Sequence, residues 1–330
     1  MQTVSVGAGV SGAFLAQQLE EGVQVFDDND KPGCRCAWGI PYSHVHDMLG
    51  NVGLDLDDLV LCRATGIFHN GIHVPMSNFV TVDKPRLVAR LREGLQIRNE
   101  KCGLDHADAD IVVNATGVPT GQAVFRARAV QEKVVVEGAA AKKVYDFIHP
   151  SCIGYAWLFP LDEDGRIFHL GAASLDTPPE KLIEELISYY GIKKTSTICG
   201  CTGFLQASDP RGVDIVRENT VAVGAAAGCV HPLTGEGIYP SLQTASLLAD
   251  AIRNQRSLEE YAQSVRRLLA GYQRSYPVFY RMLSSPFWSW YRGMGVMMDD
   301  TEHFHPRPGL TYRARLSLNT VSIRLRYPVN

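Results

Sequence analysis

Several things are scarce in this 330-residue chain, and each absence narrows its function. No run of 18 uncharged apolar residues occurs, so no membrane-spanning helix is expected. Neither charge sign dominates: the formal net charge is −3 with acids and bases interspersed, which gives no electrostatic footprint for nucleic acid. Ten histidines are present, but none forms an H-x-x-x-H pair of the kind that holds a metal on a helix, and no metal is assigned. His44 and His46 alternate with Val45 as strand or loop neighbours do and are expected to face solvent. Internal repeats, low-complexity tracts and long flexible linkers are missing too. Because an apolar strand begins within three residues of Met1, no signal or transit peptide is expected. Eight cysteines without a secretory signal then read as reduced thiols rather than a disulfide framework. The compartment implied is the cytoplasm, with peripheral membrane contact as the alternative.

What is plentiful is glycine, 30 residues, and apolar side chains at 45%, enough to bury a large core. Two glycine-rich stretches stand out. In the first, the apolar run Val4–Val6 leads into Gly7-Ala8-Gly9-Val10-Ser11-Gly12 and then a helical pattern through Ala13, Leu15, Ala16 and Leu19. This is G-x-G-x-x-G in its required strand-turn-helix setting. Gly7 permits the tight turn, Gly9 lets a pyrophosphate approach the backbone, and Gly12 lets the helix pack closely on the strand. After Gly22 a second strand, Val23–Phe26, ends at Asp27, where an acid can accept hydrogen bonds from an adenosine ribose. A dinucleotide site follows.

The second stretch is built differently. A short strand, Val221–Val223, runs into Gly224-Ala225-Ala226-Ala227-Gly228, and Gly235-Glu236-Gly237-Ile238 then opens a helix to about Ile252. Its glycines fall on two separate turns, with no strand and acid behind them. An independent nucleotide unit is excluded, and the segment reads as returning to the first site. Ala115-Thr116-Gly117, closing the strand Ile111–Val113, is a third place where backbone can lie against the cofactor.

Together these segments carry a resemblance. The opening turn, "DADIVVNATG" (108–117) and "VAVGAAAG…PLTGEGI" resemble the FAD-binding fold of aromatic hydroxylases and geranylgeranyl reductases. "GCRCAWGI" (33–40) and "GYAWLFP" (154–160) are similar to the cysteine-containing flavin loop and aromatic strand of archaeal-type geranylgeranyl reductases, and "VTVDKPRLVARL" (80–91) to that family's Val-Asp-Arg helix start, with Lys84 in place of arginine. The resemblance covers about residues 1–255. It implies FAD as cofactor, held by Gly7 to Gly12, Asp27, Arg35, Cys36, Ala115 to Gly117, Gly224, Ala225, Gly235, Gly237 and Ile238. It also implies hydride transfer from reduced flavin to an isoprenoid double bond of a polyprenyl substrate, with Cys36, Tyr155 and Trp157 at the reacting centre. Tyr155, Trp157 and Phe159 share one strand face, which is either half of a sheet core or, as the resemblance favours, a pocket lining over the flavin.

Two departures qualify the match. Ala225 stands where the family has an aspartate that holds the ribityl chain, and losing such a bond costs about 1–3 kcal/mol. The chain is also short for a reductase of this kind. A hydroxylase of the same fold is the competing enzyme reading, against which Thr116 replaces the aspartate of the hydroxylases' Asp-Gly motif. A flavin- or lipid-binding protein without catalysis is the third. Lacking a second nucleotide fingerprint, the chain would take electrons from transiently bound NAD(P)H or from a ferredoxin-like protein.

Cys34 and Cys36 allow three readings: a thiol tuning the flavin, with its pKa lowered beside Arg35; a four-sulfur metal site with Cys199 and Cys201; or small buried hydrophobes. A disulfide within or between the pairs is a further possibility. The aromatic and methionine-rich segment 276–298 reads as the seal of a lipid tunnel, a bilayer contact or ordinary helix packing, with Pro277 and Pro286 expected to break any single long helix. The expected architecture is α/β: a discontinuous Rossmann-like FAD layer (1–43, 84–125 and 215–255) interlocked with an antiparallel substrate-binding sheet (44–83 and 126–214), then C-terminal capping helices and a tail (256–330). Within that tail, "RARLSLNTVSIRLRYP" reads as extended, an edge hairpin or a dimer contact.

Overall fold

The computed structural model describes residues 2–20, 22–28, 37–105, 108–121, 124–284, 296 and 310–327. Two sheets organise them. The smaller has six strands: β1 (Thr3–Val6), β2 (Val23–Phe26), β6 (Ile97–Arg98), β7 (Ile111–Asn114), β13 (Val216–Arg217) and β14 (Thr220–Ala222), in the order β13-β14-β7-β1-β2-β6. All pairs except β13–β14 are parallel. β1 and β7 are buried at every position, as expected for strands covered on both faces. Helix α1 (Val10–Leu19) covers one face beside α5 (Ile238–Arg253), and Gln18 Nε2 donates to Ser246 Oγ between them at 3.2 Å.

The larger sheet has eight strands in the order β12-β8-β11-β10-β9-β4-β5-β3. Its members are β3 (Gly39–Pro41), β4 (Val60–His69), β5 (Ile72–Val82), β8 (Val124–Glu137), β9 (Lys143–Phe147), β10 (Gly154–Pro160), β11 (Ile167–Ser174) and β12 (Lys193–Ser208). Pairing is antiparallel throughout except β4 with β9. Alternation decides its two faces. Ala156 and Leu158 of β10, with Phe168, Leu170 and Ala172 of β11, turn to one side and pack under α4 (Pro179–Tyr190) through Leu182 and Leu186. Tyr155, Trp157 and Phe159 turn to the other. Helix α3 (Lys84–Arg92) begins where Asp83 caps it, accepting from Arg86 N at 3.0 Å, and its Leu87, Val88 and Leu91 are buried. A capping box at Ser257 and Glu260 starts α6 (Leu258–Leu268). Its Tyr261 hydroxyl, fully buried, donates to Ala222 O at 2.7 Å and so ties this helix to the end of β14.

Three local expectations are corrected. His44 and His46 lie on a helix, α2 (Tyr42–Gly50), not on a strand or loop; both are exposed while Val45 between them is buried. Pro277 does not break its helix: α7 (Tyr272–Ser284) runs through it. Burial of Tyr276, Val278 and Phe279 around the proline offsets the one backbone bond it cannot make. The segment read as extended is the helix α8 (Leu310–Arg326). Tyr312, Leu316, Asn319 and Ile323, with Tyr327 just past its end, recur at helical spacing and are buried or half-buried, which is a helical period and not the alternation of arginine with apolar residues. Pro286 lies outside the described residues.

Close approach of backbones sets the α1–β1 geometry. A Cβ on Gly12 would lie 2.0 Å from Gly7 O and 2.9 Å from the Ala115 side chain. Neither neighbour can yield without moving strand or helix. Gly12→Ala is therefore expected to destabilise the fold by about 1–3 kcal/mol, measured as a lower urea midpoint, whereas alanine at Gly50, which has nothing within 4 Å, should leave that midpoint nearly unchanged.

Candidate active site

The carboxyl ends of β1, β7 and β14 stop at one level. Val6 pairs with Asn114, Asn114 with Ala222, and the backbone bonds Ala115 N to Val6 O (2.9 Å) and Val223 N to Asn114 O (3.1 Å) carry that alignment into the turns. The loops from Gly7, Ala115 and Gly224 consequently converge on one edge. Gly7, at φ +104°, is pressed against Ala115, whose carbonyl oxygen would be 2.4 Å from a Cβ there. Gly9 differs: nothing lies within 4 Å of its Cβ position. It is the N-cap of α1 and offers no side chain, so the first-turn N–H groups and the positive end of the helix dipole are presented at an open surface. The second glycine stretch meets the same place, because Gly224, at φ +63°, lies against Ser11 in the first turn of α1. That contact brings the second glycine stretch back to the first turn, as expected from the sequence. Ala225 follows on the 3-10 turn Gly224–Ala227, half-buried.

Asp27 ends β2 as expected, and its side chain does more than wait for a ligand. Its Oδ2 accepts from Ala8 N at 2.7 Å and pairs with Arg92 of α3, while Arg92 Nε donates to Ala8 O at 2.9 Å. Arg92 and Asp27 thus clamp Ala8 from both sides. Arg92 was not singled out from sequence, since a basic residue near a helix C-terminus is ordinary. Thr116 closes the third turn through its N–H and hydroxyl, both donated to Asn114 Oδ1 at 3.2 and 2.7 Å, and leaves Gly117 at φ +77° at its outer end.

Gly235 and Gly237 join the two sheets. Tyr155 of β10 donates to Thr234 O at 2.6 Å, and a Cβ on Gly235 would stand 2.5 Å from that hydroxyl. Gly237 is the N-cap of α5, which starts at Ile238 without a side-chain cap. A second helix N-terminus therefore opens beside the aromatic face of the larger sheet. On that face Tyr155 and Trp157 are 5.5 Å apart between ring centroids, Trp157 and Phe159 6.5 Å, and Phe79 packs edge-on to Phe159 at 5.4 Å. Trp157 lies over Gly171, and Trp38 contacts His169 edge-on at 4.1 Å. Trp38 Nε1, Trp157 Nε1 and His169 Nδ1 are buried without a hydrogen-bond partner among the described residues. Burial, with Lys133 adding to it, holds His169 neutral by lowering its pKa to about 3.

Against this face opens an apolar cavity of about 720 Å³, counting its solvent-open part. Tyr155, Ala173 and Leu205 form its floor, Leu233 one end, and Phe279 and Met282 of α7 its roof. None of its lining residues is charged. Tyr155 is a wall as expected, and Phe279 and Met282 belong to the aromatic and methionine-rich segment 276–298, one of whose readings is the seal of an apolar tunnel. Trp157 does not line this cavity; it lies farther along the same face. Cys34, Arg35 and Cys36 lie outside the described residues. Cys199 and Cys201 sit on the edge strand β12, and no group of three or more potential metal ligands occurs among the described residues.

A glycine-turn parallel sheet interlocked with a large antiparallel sheet, with a third backbone segment returning to the turn, is the fold of FAD-dependent oxidoreductases. Solved structures agree over nearly the whole chain. A geranylgeranyl bacteriochlorophyll reductase-like protein from Thermoplasma acidophilum superposes with a TM-score of 0.63 at 14% identity, covering 98% of both chains. A probable FAD-dependent monooxygenase from Pseudomonas aeruginosa gives 0.61 at 16%, covering 90% of this chain and 99% of that one. The family profile for lycopene cyclase proteins matches residues 176–288. Menaquinone reductase of Mycobacterium tuberculosis is 34% identical over 112 residues, 30% of this chain and 26% of the relative. The chain thus matches only about a quarter of that curated relative's length. The resemblance read from the sequence is borne out as fold.

His169 gives a pH signature. Its folded pKa of about 3 lies below the model-peptide 6.5, so the unfolded chain binds the extra proton between those values and stability falls as pH drops from 6.5 toward 3. Urea midpoints across this range should decline less steeply in His169→Phe than in wild type. Equal slopes would show that the imidazole is not held neutral.

Proposed function

We propose that the protein is an FAD-dependent oxidoreductase that saturates isoprenoid double bonds in an apolar, polyprenyl-type substrate. The observation that carries this reading is the uncharged cavity opening between the aromatic face of the larger sheet and the loop that starts α5. The residues present fit FAD. The open Gly9 and the uncapped α1 N-terminus suit its pyrophosphate, and the Asp27–Arg92 clamp stands where the adenosine ribose would lie. Ala115 to Gly117, Gly224 and Ala225 would follow the ribityl chain, and Gly235, Gly237 and Ile238 would meet the ring system. Arg35 and Cys36 belong to this assignment by resemblance.

When bound and reduced, the flavin supplies a hydride. The chain's own part is to hold the reactants and to shape the electrostatics. The uncapped α5 N-terminus would favour negative charge on a ring system held at Gly235, Gly237 and Ile238. Tyr155 walls the cavity, Trp157 backs the same face farther along, and the apolar floor and roof would exclude water from the reacting bond. Electrons would come from transiently bound NAD(P)H or a ferredoxin-like protein. Among the described residues no helix is long and apolar enough to cross a membrane; a cytoplasmic protein, with peripheral membrane contact where it meets a lipid substrate, is part of the proposal. Oxygen-dependent hydroxylation is the second reading, favoured by the likeness to the Pseudomonas monooxygenase.

Purified protein should be yellow with bound FAD, and Gly9→Trp should lose it, because the indole would fill the open approach to the pyrophosphate. Full occupancy in that variant would remove the cofactor assignment. Ala225→Asp should tighten FAD several-fold in titrations of apoprotein, roughly the effect of one restored hydrogen bond; unchanged affinity would mean another group already serves. For the chemistry, anaerobic mixing of reduced protein with geranylgeranyl lipids should reoxidise the flavin, more slowly in Trp157→Ala at equal FAD content. Absence of reoxidation across chain lengths, with hydroxylated product from an aromatic substrate in oxygen, would replace the reductase reading with the hydroxylase one.

A further inference from the structure

Helix α8 carries apolar side chains on two opposite sides. The inner side is built into the fold: Leu316 packs with Ile72 of β5, Ile148 and Met282 of α7, and Ile323 belongs to the core that α4 covers. The outer side is not. Ala314, Leu318, Val321 and Leu325 recur at helical intervals of four, three and four residues, and all are exposed, the last three by 72%, 47% and 79%. Single exposed leucines are ordinary on a protein surface. Here three of the eight large hydrophobic side chains exposed among the described residues fall on one face of one helix.

Charge on this helix is equally local. It holds four arginines and no acidic residue, in a chain whose acids outnumber its lysines and arginines by 35 to 32. At the helical period, Arg315 and Arg326 lie along one flank of the outer stripe and Arg324 along the other, and all three are exposed. An apolar stripe edged by arginines on both flanks suits a helix lying in a membrane interface. The stripe enters the boundary of the acyl chains, and the long arginine side chains reach back to the lipid phosphates. Lying on the surface is the mode open to it, since no described helix is long and apolar enough to cross a membrane.

We propose that α8 docks the protein on an anionic lipid surface, with Leu318, Val321 and Leu325 buried among the lipids and Arg315, Arg324 and Arg326 against their phosphate groups. The inference deepens the apolar-substrate reading above, on which it rests, by naming the surface through which that substrate is reached. Position supports it. Ile148 and Met282, which pack with Leu316 on the inner side of α8, both line the cavity. A single helix therefore separates the cavity wall from the outer stripe, and the docked protein holds its cavity about 10 Å from the lipid, one helix diameter away. The arginines select the lipid: each gains from a negative surface and gains little from a zwitterionic one.

The test is co-sedimentation of the purified full chain with vesicles of phosphatidylcholine alone and of phosphatidylcholine and phosphatidylglycerol in equal parts. The mixed vesicles should bind it more tightly, and added salt should shrink the difference. Leu318→Glu combined with Leu325→Glu should weaken binding to mixed vesicles roughly tenfold or more. Arg315→Gln combined with Arg326→Gln should lower the preference for the mixed vesicles and keep the weaker binding to phosphatidylcholine. Ile198→Glu combined with Phe204→Glu, which changes two exposed apolar residues of β12, should bind as wild type does. All the side chains changed are exposed, so urea midpoints should stay near that of wild type. No binding to mixed vesicles, binding indifferent to lipid charge, or binding lost in the β12 variant and kept in the leucine variant would each overturn the inference. So would a wild-type dimer, seen by light scattering, that the leucine variant splits, for the stripe would then be a contact between copies. None of these outcomes touches the reductase reading, which is judged by anaerobic flavin reoxidation with detergent-dispersed lipid; failure there with vesicle binding intact would overturn that reading alone.

Discussion

Everything at the site depends on how closely three backbones approach at the carboxyl edge of the six-stranded sheet. Gly7 lies against the Ala115 carbonyl, Gly12 against the Gly7 carbonyl, and Gly224 against Ser11, at separations where any Cβ on the glycine would overlap its neighbour. Because these contacts join residues as far apart in sequence as Ser11 and Gly224, they hold α1, the β7 turn and the β14 turn as one body. At Gly9, where the space is open, the uncapped N-terminus of α1 is left exposed. The Asp27–Arg92 clamp on Ala8 serves the same end by fixing the turn's central peptide from both sides.

The second sheet uses a different physical device. Strict alternation along β10 and β11 sends Ala156, Leu158, Phe168 and Leu170 beneath α4, which frees the opposite face to carry aromatic rings and a few polar atoms. One core is thus built without occupying the surface needed for a ligand. The bond from Tyr155 to Thr234 O then links this face to the loop that begins α5, so the floor of the cavity and the second helix N-terminus hold a fixed relation. Joining them costs little, since the hydroxyl of an otherwise buried tyrosine needs a partner in any case.

The cavity's roof shows where such a fold is free to vary. Phe279 and Met282 of α7 and Tyr312 and Leu316 of α8 cover the same aromatic face, and none belongs to a glycine turn or a strand whose register is constrained. The shape of the cavity can therefore change through these helices while the glycine contacts stay fixed. The His69–Asp146 pair illustrates the complementary case. It is held by register between neighbouring strands, so its position is as fixed as the sheet, although the two residues are 77 apart in sequence.

How much of this the sequence determined can be read from particular elements. Gly7 to Gly12, Asp27, the strand at Ile111 and the helix start at Ile238 were all legible, because local backbone geometry admits few residue types at those turns and records them in short order. The alternation in Gly154–Pro160 likewise fixed which rings share a face. Local pattern misled where two periods overlap or packing outweighs propensity: Leu310–Arg326 alternates like a strand yet buries residues at helical spacing, and α7 passes through Pro277. Only the tertiary structure could bring Arg92 to Ala8, Gly224 to Ser11, Asp146 to His69 and Leu316 to Ile148. Those pairings are set by strand order and helix placement, and a sequence carries no local trace of a neighbour that arrives from another element.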